Sequence, residues 1–552
     1  FKYLKNTGGQ NLDTHNYWHH LGTSWNWDYP SRWWGQIAGD CVDLNTENPA
    51  VAKYLVECYG KFIAMGVDGF RIDTTGHIPR LTFNKHFIPQ FMALGEKYKD
   101  KRLNSCPFFM FGECCARYSE PTYRGQHNLS SYFYTWKSPA DLLARWNEDA
   151  TWWDSQVIYE GDDKMYGNMQ LCLDEPSTAP TSDNVFMRSG AWHEPDYSQY
   201  SGFSIIDFPM HYNFNNAASA VSIANKGDRY YNDASYNVVY VDSHDYCPGP
   251  NDKTRFNGGT QQWAENLSLM FTFRGIPCIY YGSEVEFQKG KNVDAGGTDQ
   301  PVKVSASDFG TFTADGNVAK TLDSDLARHL IRLNQIRMAV PALRKGQYTF
   351  DGCSANGGAI AFRRAYKESY ALVCINGGAT FSSVPAGTYT DIVTGQTYQG
   401  GGPITVSAPS GKGQLRVLVK DWKGGKVGED GKFIYTSSPV SKGATPVFSD
   451  PGTTQYYTAD DAIGNPAVKL SPAGCAFKTE TLTVSISLNE AAASGWYRIA
   501  DGAKSELAKG QTASFTFGAD MSYGESVTVS YGATGDNGTE YTGEAVYTKK
   551  DP

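Results

Sequence analysis

No run of about 18 apolar residues occurs in this 552-residue chain, so no membrane-spanning helix is expected. A basic surplus is lacking too. The formal charge is −9, which argues against a nucleic-acid partner. The cysteines number eleven, an odd count, and include neither a CxxC pair nor the interleaved histidines of a zinc site. Several sit inside apolar runs, such as Cys278 in GIPCIYYG and Cys374 in ALVCING, where buried thiols are expected. No basic segment followed by an apolar one opens the chain, so no secretion signal is read there. What the chain has in quantity is aromatic: 35 Tyr, 28 Phe and 13 Trp. Flat rings suit a carbohydrate surface, although cores and strands use them as well.

The length implies two to four domains. Residues 1–40 are rich in Trp, Asn, Gly and His and show no clean period. From Asp43 the pattern changes. Pro49–Ile63 carries Val51, Leu55 and Phe62 at helical spacing, and Gly66 closes the helix as its C-cap. A strand at Gly69–Ile72 follows at once, and the helix–strand beat of an α/β barrel continues with a helix at Phe87–Tyr98 and a strand at Phe108–Phe111. Strands are expected at Phe203–Phe208, Val238–Val241 and Ile276–Tyr281, and helices at Thr260–Phe273 and Leu326–Met338. Residues 119–200, with five tryptophans, break the beat and read as an insertion that walls the cleft. After Gly346 the pattern turns to short strands split by Gly-rich turns, giving an all-β domain at 347–422. Residues 423–465 have linker composition, and 466–552 form a second β-sandwich.

Three apolar, strand-like runs end in acids: GFRID at Asp73, FMFGE at Glu113 and VYVDSHD at Asp245. In a parallel barrel the C-terminal strand ends carry the reacting groups. A retaining glycosidase needs two carboxyls, one to attack the anomeric carbon and one to protonate the leaving oxygen. Arg71 shares a strand face with Asp73 and can hold that carboxylate ionised, which suits a nucleophile. Apolar surroundings behind Glu113 raise its pKa, which suits the acid. Asp245 suits a stabiliser of positive charge in the transition state, with His244 bonding sugar hydroxyls. A single such acid is often only a strand end; the ordered set of three is far more specific.

These segments resemble the α-amylase family, glycoside hydrolase family 13. GFRIDTTGH is similar to its second sequence region, FGE to its third and VDSHD to its fourth. GDCVDLN (Gly39–Asn45), GIPCIYYGSE (Gly275–Glu284) and LIRLNQIRMAVPALRKG (Leu330–Gly346) resemble further family segments. The resemblance implies a (β/α)8 barrel of which strands 4–8 are visible at 41–346, with residues 1–40 as the tail of the domain B excursion. A β-sandwich domain C would follow, then an immunoglobulin-like module able to bind carbohydrate through Trp496, Tyr497, Tyr523 or Tyr531. It implies Asp73 as nucleophile, Glu113 as acid/base, Asp245 as stabiliser, and Arg71 and His244 as substrate-site residues. It further implies structural Ca²⁺ held by Asp43 and the carbonyl of His77.

The activity implied is that of a secreted bacterial α-amylase acting on starch, maltodextrin and other α-glucans, with neopullulanase, exo-α-glucosidase or transglycosylase as alternatives. A non-catalytic glucan-binding relative is a further alternative. Thr74 is compatible with α-1,4 linkage, and Gly76 stands where the family's amylases commonly carry a Lys. Cys114 and Cys115 are expected as thiols rather than a strained vicinal disulfide. The family's first region, Asp-x-x-x-Asn-His, does not occur, so the chain is expected to be part of a longer protein.

Overall fold

The computed structural model describes residues 13–115, 130–148, 168–292, 324–427 and 468–551, apart from short gaps within these ranges. Trp152, Trp153 and almost all of the expected linker lie outside them. The chain forms two compact units, described here separately. Of the described residues, the larger carries those up to Leu333 and Val340–Trp422, and the smaller holds Asn334–Ala339, Lys423–Val427 and those from 468 onward.

In the larger unit, the helix Pro49–Met65 starts where Pro at its first turn and the Asn48 side chain, accepting from Ala50 N at 3.0 Å, dictate. It stops at Gly66, whose left-handed φ of 100° glycine adopts without cost. The buried face is Val51, Ala52, Val56 and Ile63. Phe62, expected on that face, is instead exposed, together with Tyr54, Tyr59 and Met65. The helix is apolar on two sides, so spacing alone did not decide which side turned inward.

Five short parallel strands follow: β1 (Gly69–Ile72), β2 (Phe109–Gly112), β3 (Ser204–Ile205), β4 (Val238–Val239) and β5 (Ile276–Pro277). β1 pairs with β2, β2 with β3, and β4 with β5; a single bridge from Ile206 to Val238 links the two groups. The helices Ile88–Lys97, Ala217–Gly227 and Thr260–Thr272 lie between successive strands. Strand order therefore follows chain order, as in a barrel wall. Among the described residues β1 and β5 are both edges. Strands β3, β4 and β5 are shorter than the apolar runs 203–208, 238–241 and 276–281. Phe203, Phe208 and Tyr240 are buried without ladder pairing, so apolarity extends beyond the hydrogen bonds.

Residues 131–136 pack inward, while most of 188–200 lies at the surface. Tyr132, Phe133, Tyr134 and Trp136 are buried, and Trp146 joins Trp33, Trp34 and Leu81 in one cluster. Residues 347–420 form a six-stranded sheet and a three-stranded one around a core that includes Phe381, Tyr389, Leu372 and Leu418. The smaller unit is a sandwich of three- and five-stranded sheets, as its turn spacing predicts.

Candidate active site

β1 and β2 run in register, Ile72 opposite Gly112, so Asp73 and Glu113 leave neighbouring strands at the same end. The backbone bond from Glu113 N to Ile72 O, 2.8 Å, extends the ladder to the acid itself. Gly112 is required there: a Cβ would run into the Thr75 hydroxyl, which donates to Ile72 O at 3.0 Å. Thr74 takes a left-handed φ of 43°, sparsely populated by a β-branched residue, and its N–H points at Glu113 Oε2, 3.5 Å away.

Arg71 stands between the two carboxyls. Nη1 donates to Asp73 Oδ1, and Nη2 lies 3.3 Å from Glu113 Oε2. The two acids sit close enough for their protonation to be linked. Like charges so near each other disfavour ionisation of both. Burial pushes Glu113 up to about 7, with the bond to Asp73 adding to the rise and Arg71 opposing it. For Asp73 burial also pulls upward, but the hydrogen bond from Glu113 and the Arg71 charge outweigh it and the carboxyl falls below its usual value. The proton therefore sits on Glu113. Solvent access agrees: the Asp73 side chain is 67% exposed and that of Glu113 10%.

Asp245 lies in the turn beyond β4, where Ser243 Oγ accepts from the backbone N–H groups of Asp245 (3.1 Å) and Tyr246 (3.2 Å). His244 Nε2 is 2.9 Å from Asp245 Oδ2. The charge of Asp245 contributes to the upward push on Glu113, which ties the third acid to the first two. The structure thus gathers Arg71, Asp73, Glu113 and Asp245, with His244 attached through Asp245.

Asp43 and His77 line one cavity of about 570 Å³ together with Arg71 and Asp73. The Asp43 carboxylate is already engaged: Oδ2 meets His19 Nδ1 at 2.5 Å. The other nitrogen of the same buried ring lies 2.9 Å from Glu47 Oε2, out of line for a good hydrogen bond. The His77 ring is held by the Arg32 carbonyl at 2.8 Å, and burial drives it down to about 4. Among the described residues no group of three or more His, Cys, Asp or Glu side chains is arranged to hold a metal ion. The Asp43 carboxylate is an oxygen donor of the kind calcium takes but is bonded to His19 here, and the contribution expected of His77 is its backbone carbonyl rather than its ring.

His19, Glu47 and the strained Thr74 escaped sequence reasoning. His19 carries no local motif and meets its partners 24 and 28 positions away. Gly76 leaves room for the Arg32 guanidinium and the Cys114 thiol, which would lie 3.4 and 3.3 Å from a Cβ. All eleven cysteines carry thiols, and burial pushes Cys114 up to about 11. Among the rings suggested for carbohydrate stacking in the smaller unit, Trp496 is covered on one side by Lys504 Nζ at 3.8 Å and faces Gly532 across the sheet. Tyr497 stacks on Phe515, while Tyr523 stands 61% exposed.

A parallel sheet with paired, oppositely shifted carboxyls at its C-terminal end has the form of a glycosidase site. The sequence comparison agrees: residues 3–141 match the α-amylase catalytic-domain family. This match to glycoside hydrolase family 13 takes in Asp73 and Glu113. Among relatives, the chain is 25% identical over 399 residues to a cyclomaltodextrin glucanotransferase of Thermoanaerobacterium thermosulfurigenes, covering 70% of this chain and 42% of that protein. It is 24% identical over 412 residues to an α-amylase of Niallia circulans, covering 73% and 58%. The chain thus spans about half the length of the curated relatives it matches. Among solved structures it aligns with the Geobacillus thermoleovorans α-amylase complexed with acarbose at 16% identity and TM-score 0.44, over 74% of this chain and 72% of that one.

Proposed function

We propose that this chain carries the catalytic centre of a retaining α-glucan hydrolase that cleaves internal α-1,4 bonds. The observation that carries the reading is the placement of two carboxyls on adjacent, in-register strand ends with Arg71 between them, where the surroundings push Glu113 up and Asp73 down. In this reading Asp73 attacks the anomeric carbon while Glu113 passes its proton to the glycosidic oxygen, and the aglycone leaves. Glu113, now ionised, takes a proton from water. The resulting hydroxide opens the glycosyl–Asp73 ester and restores both groups. Asp245 would face the positive charge that develops on the sugar ring. Retaining enzymes hold their carboxyls about 5–5.5 Å apart, and Arg71 keeps hold of Asp73 as the sugar enters.

The test is Glu113→Gln with amylose as substrate. A loss of about 10²–10⁴-fold in kcat is expected, and turnover at the parent rate would refute the assignment. A second reading, transglycosylation, is favoured by the relatives named cyclomaltodextrin glucanotransferase. It differs in whether a sugar hydroxyl or water opens the ester, and cyclic or lengthened products from maltoheptaose would select it. Structural calcium at Asp43 and the His77 carbonyl belongs to the same proposal. It would need further ligands and a displaced His19 ring, and metal analysis of the purified chain before and after chelation tests it. Secretion and glucan binding by the smaller unit through Tyr523 stand on the same footing.

A further inference from the structure

Away from the carboxyl cluster, three tyrosines meet at the surface of the larger unit. The ring centroids are 5.9 Å apart for Tyr197–Tyr200, 6.0 Å for Tyr197–Tyr236 and 5.7 Å for Tyr200–Tyr236, the last pair stacked at 18°. Tyr197 and Tyr236 are 38% and 37% exposed, so the group offers open aromatic surface. The shelf is fixed from below. Tyr197 Oη donates to Asp233 Oδ2 at 2.9 Å, and the buried Asp233 caps the turn that carries Tyr236 by accepting from Ser235 N at 2.8 Å. Tyr200 bridges to Trp136, and Lys137 N bonds Gln199 O at 2.9 Å.

The chain neighbours of these tyrosines line a polar depression of about 540 Å³. Asp196 and Gln199 contribute to it, with Asp183, Asn184, Arg229 and the buried Trp136. Asn184 sets its floor: Nδ2 donates to Asp196 O (2.8 Å) and Asn232 O (3.0 Å), and Oδ1 accepts from Asp196 N (2.8 Å). None of these lining residues borders the cavity that contains Arg71 and Asp73. The charges balance, with Arg188 Nη2 2.6 Å from Asp183 Oδ2 and Asp196 lining the same depression as Arg229, so no surplus charge favours an anionic ligand. Open ring faces beside preset hydroxyl-bonding groups suit a neutral molecule with apolar C–H faces and many hydroxyls, which is a sugar chain.

We propose that the Tyr197–Tyr200–Tyr236 shelf and its depression form a second α-glucan-binding site, separate from the place of cleavage; this rests on the α-glucan reading above. It holds a polymer chain while the carboxyl cluster works on another stretch of the same or a neighbouring chain.

The test uses the full chain and a Tyr197→Ala/Tyr236→Ala double variant in affinity electrophoresis through amylopectin gels, alongside turnover of maltopentaose. The double variant is expected to bind amylopectin about tenfold more weakly while its kcat/KM on maltopentaose stays within about twofold of the parent. Tyr236→Ala alone, with a smaller loss of about threefold, keeps the test decisive if the double variant does not fold. Unchanged retardation of a variant that still cleaves maltopentaose overturns this site and leaves the hydrolase reading intact. A parent chain that neither cleaves nor binds any α-glucan overturns both.

Discussion

Two arginines in this chain each stand between two carboxylates, and the two clusters are built for opposite ends. Arg274 is fully enclosed. Nε donates to Asp228 Oδ2 at 2.7 Å, while Nη2 meets Asp228 Oδ1 and Nη1 meets Asp207 Oδ2. The remaining oxygens are also taken: Tyr348 Oη donates to Asp228 Oδ2 (2.8 Å), Met210 N to Asp207 Oδ1 (3.0 Å) and Asn237 Nδ2 to Asp207 Oδ2 (3.2 Å). Arg71 holds Asp73 with one nitrogen and reaches Glu113 at 3.3 Å with another, and Asp73 opens to solvent. In the first cluster every carboxylate oxygen has a donor, so the charge is a structural tie. In the second the proton is divided unequally, and an exposed carboxylate is left free to react. The difference lies in satisfaction and solvent access, not in composition.

The sharpest way to break this comparison is to remove each arginine in turn. Arg274→Met strands two buried carboxylates, and a loss of about 3–5 kcal/mol is expected, read as a steep fall in Tm or in soluble yield. Arg71→Met leaves an exposed Asp73 that water solvates. Its Tm is expected near the parent's, while kcat on amylose falls about 10²–10³-fold as the nucleophile loses its supporting charge. If Arg71→Met unfolded the chain and Arg274→Met did not, the roles assigned to the two clusters would be reversed.

The same contrast can be titrated. Glu113 rises from 4.5 to about 7 on folding. A group with a raised folded pKa contributes stability below its unfolded value and loses that contribution as pH climbs through the folded one. The parent should therefore lose stability between pH 4.5 and 7 that Glu113→Gln keeps, so the variant gains about 2–3 kcal/mol on the parent across that window. Activity should fall above pH 7 for the same reason, because the acid loses its proton. Urea melts of both proteins at pH 4.5 and pH 8 check this, and parallel curves would mean that Glu113 does not hold the shared proton.

Much of this cluster was legible in sequence, because its parts are local. β1 and the start of the helix at Pro49 fall where their residues put them, and the acids follow β1 and β2 directly. The Arg274 cluster was not legible: Asp207, Asp228 and Arg274 share no period or motif, and only packing across separations of 46 and 67 positions brings them together. The His19–Asp43–Glu47 contact escaped for the same reason. β3 and β4 were overextended because an apolar run buried on both faces carries no alternation to mark where pairing ends, and the run at β5 carries none either although Ile276, Cys278 and Tyr281 are exposed. The π-helical turn Phe83–Phe87 before the helix Ile88–Lys97 has no sequence signature of its own.

The smallest expected effect tests how much backbone geometry the reacting cluster needs. Thr74 holds φ 43° directly after Asp73, a conformation that costs a non-glycine residue about 1–2 kcal/mol. Glycine would relieve that strain, but the unfolded chain would gain freedom worth about 0.5–1 kcal/mol in the opposite direction. The two nearly cancel, so Thr74→Gly should change stability by less than about 1 kcal/mol. Its N–H still points at Glu113, so kcat on amylose should fall less than about tenfold if the backbone carries the interaction. A much larger loss with unchanged Tm would move the role to the Thr74 side chain, and the reacting cluster would then depend on a packed group, as the Arg274 cluster does.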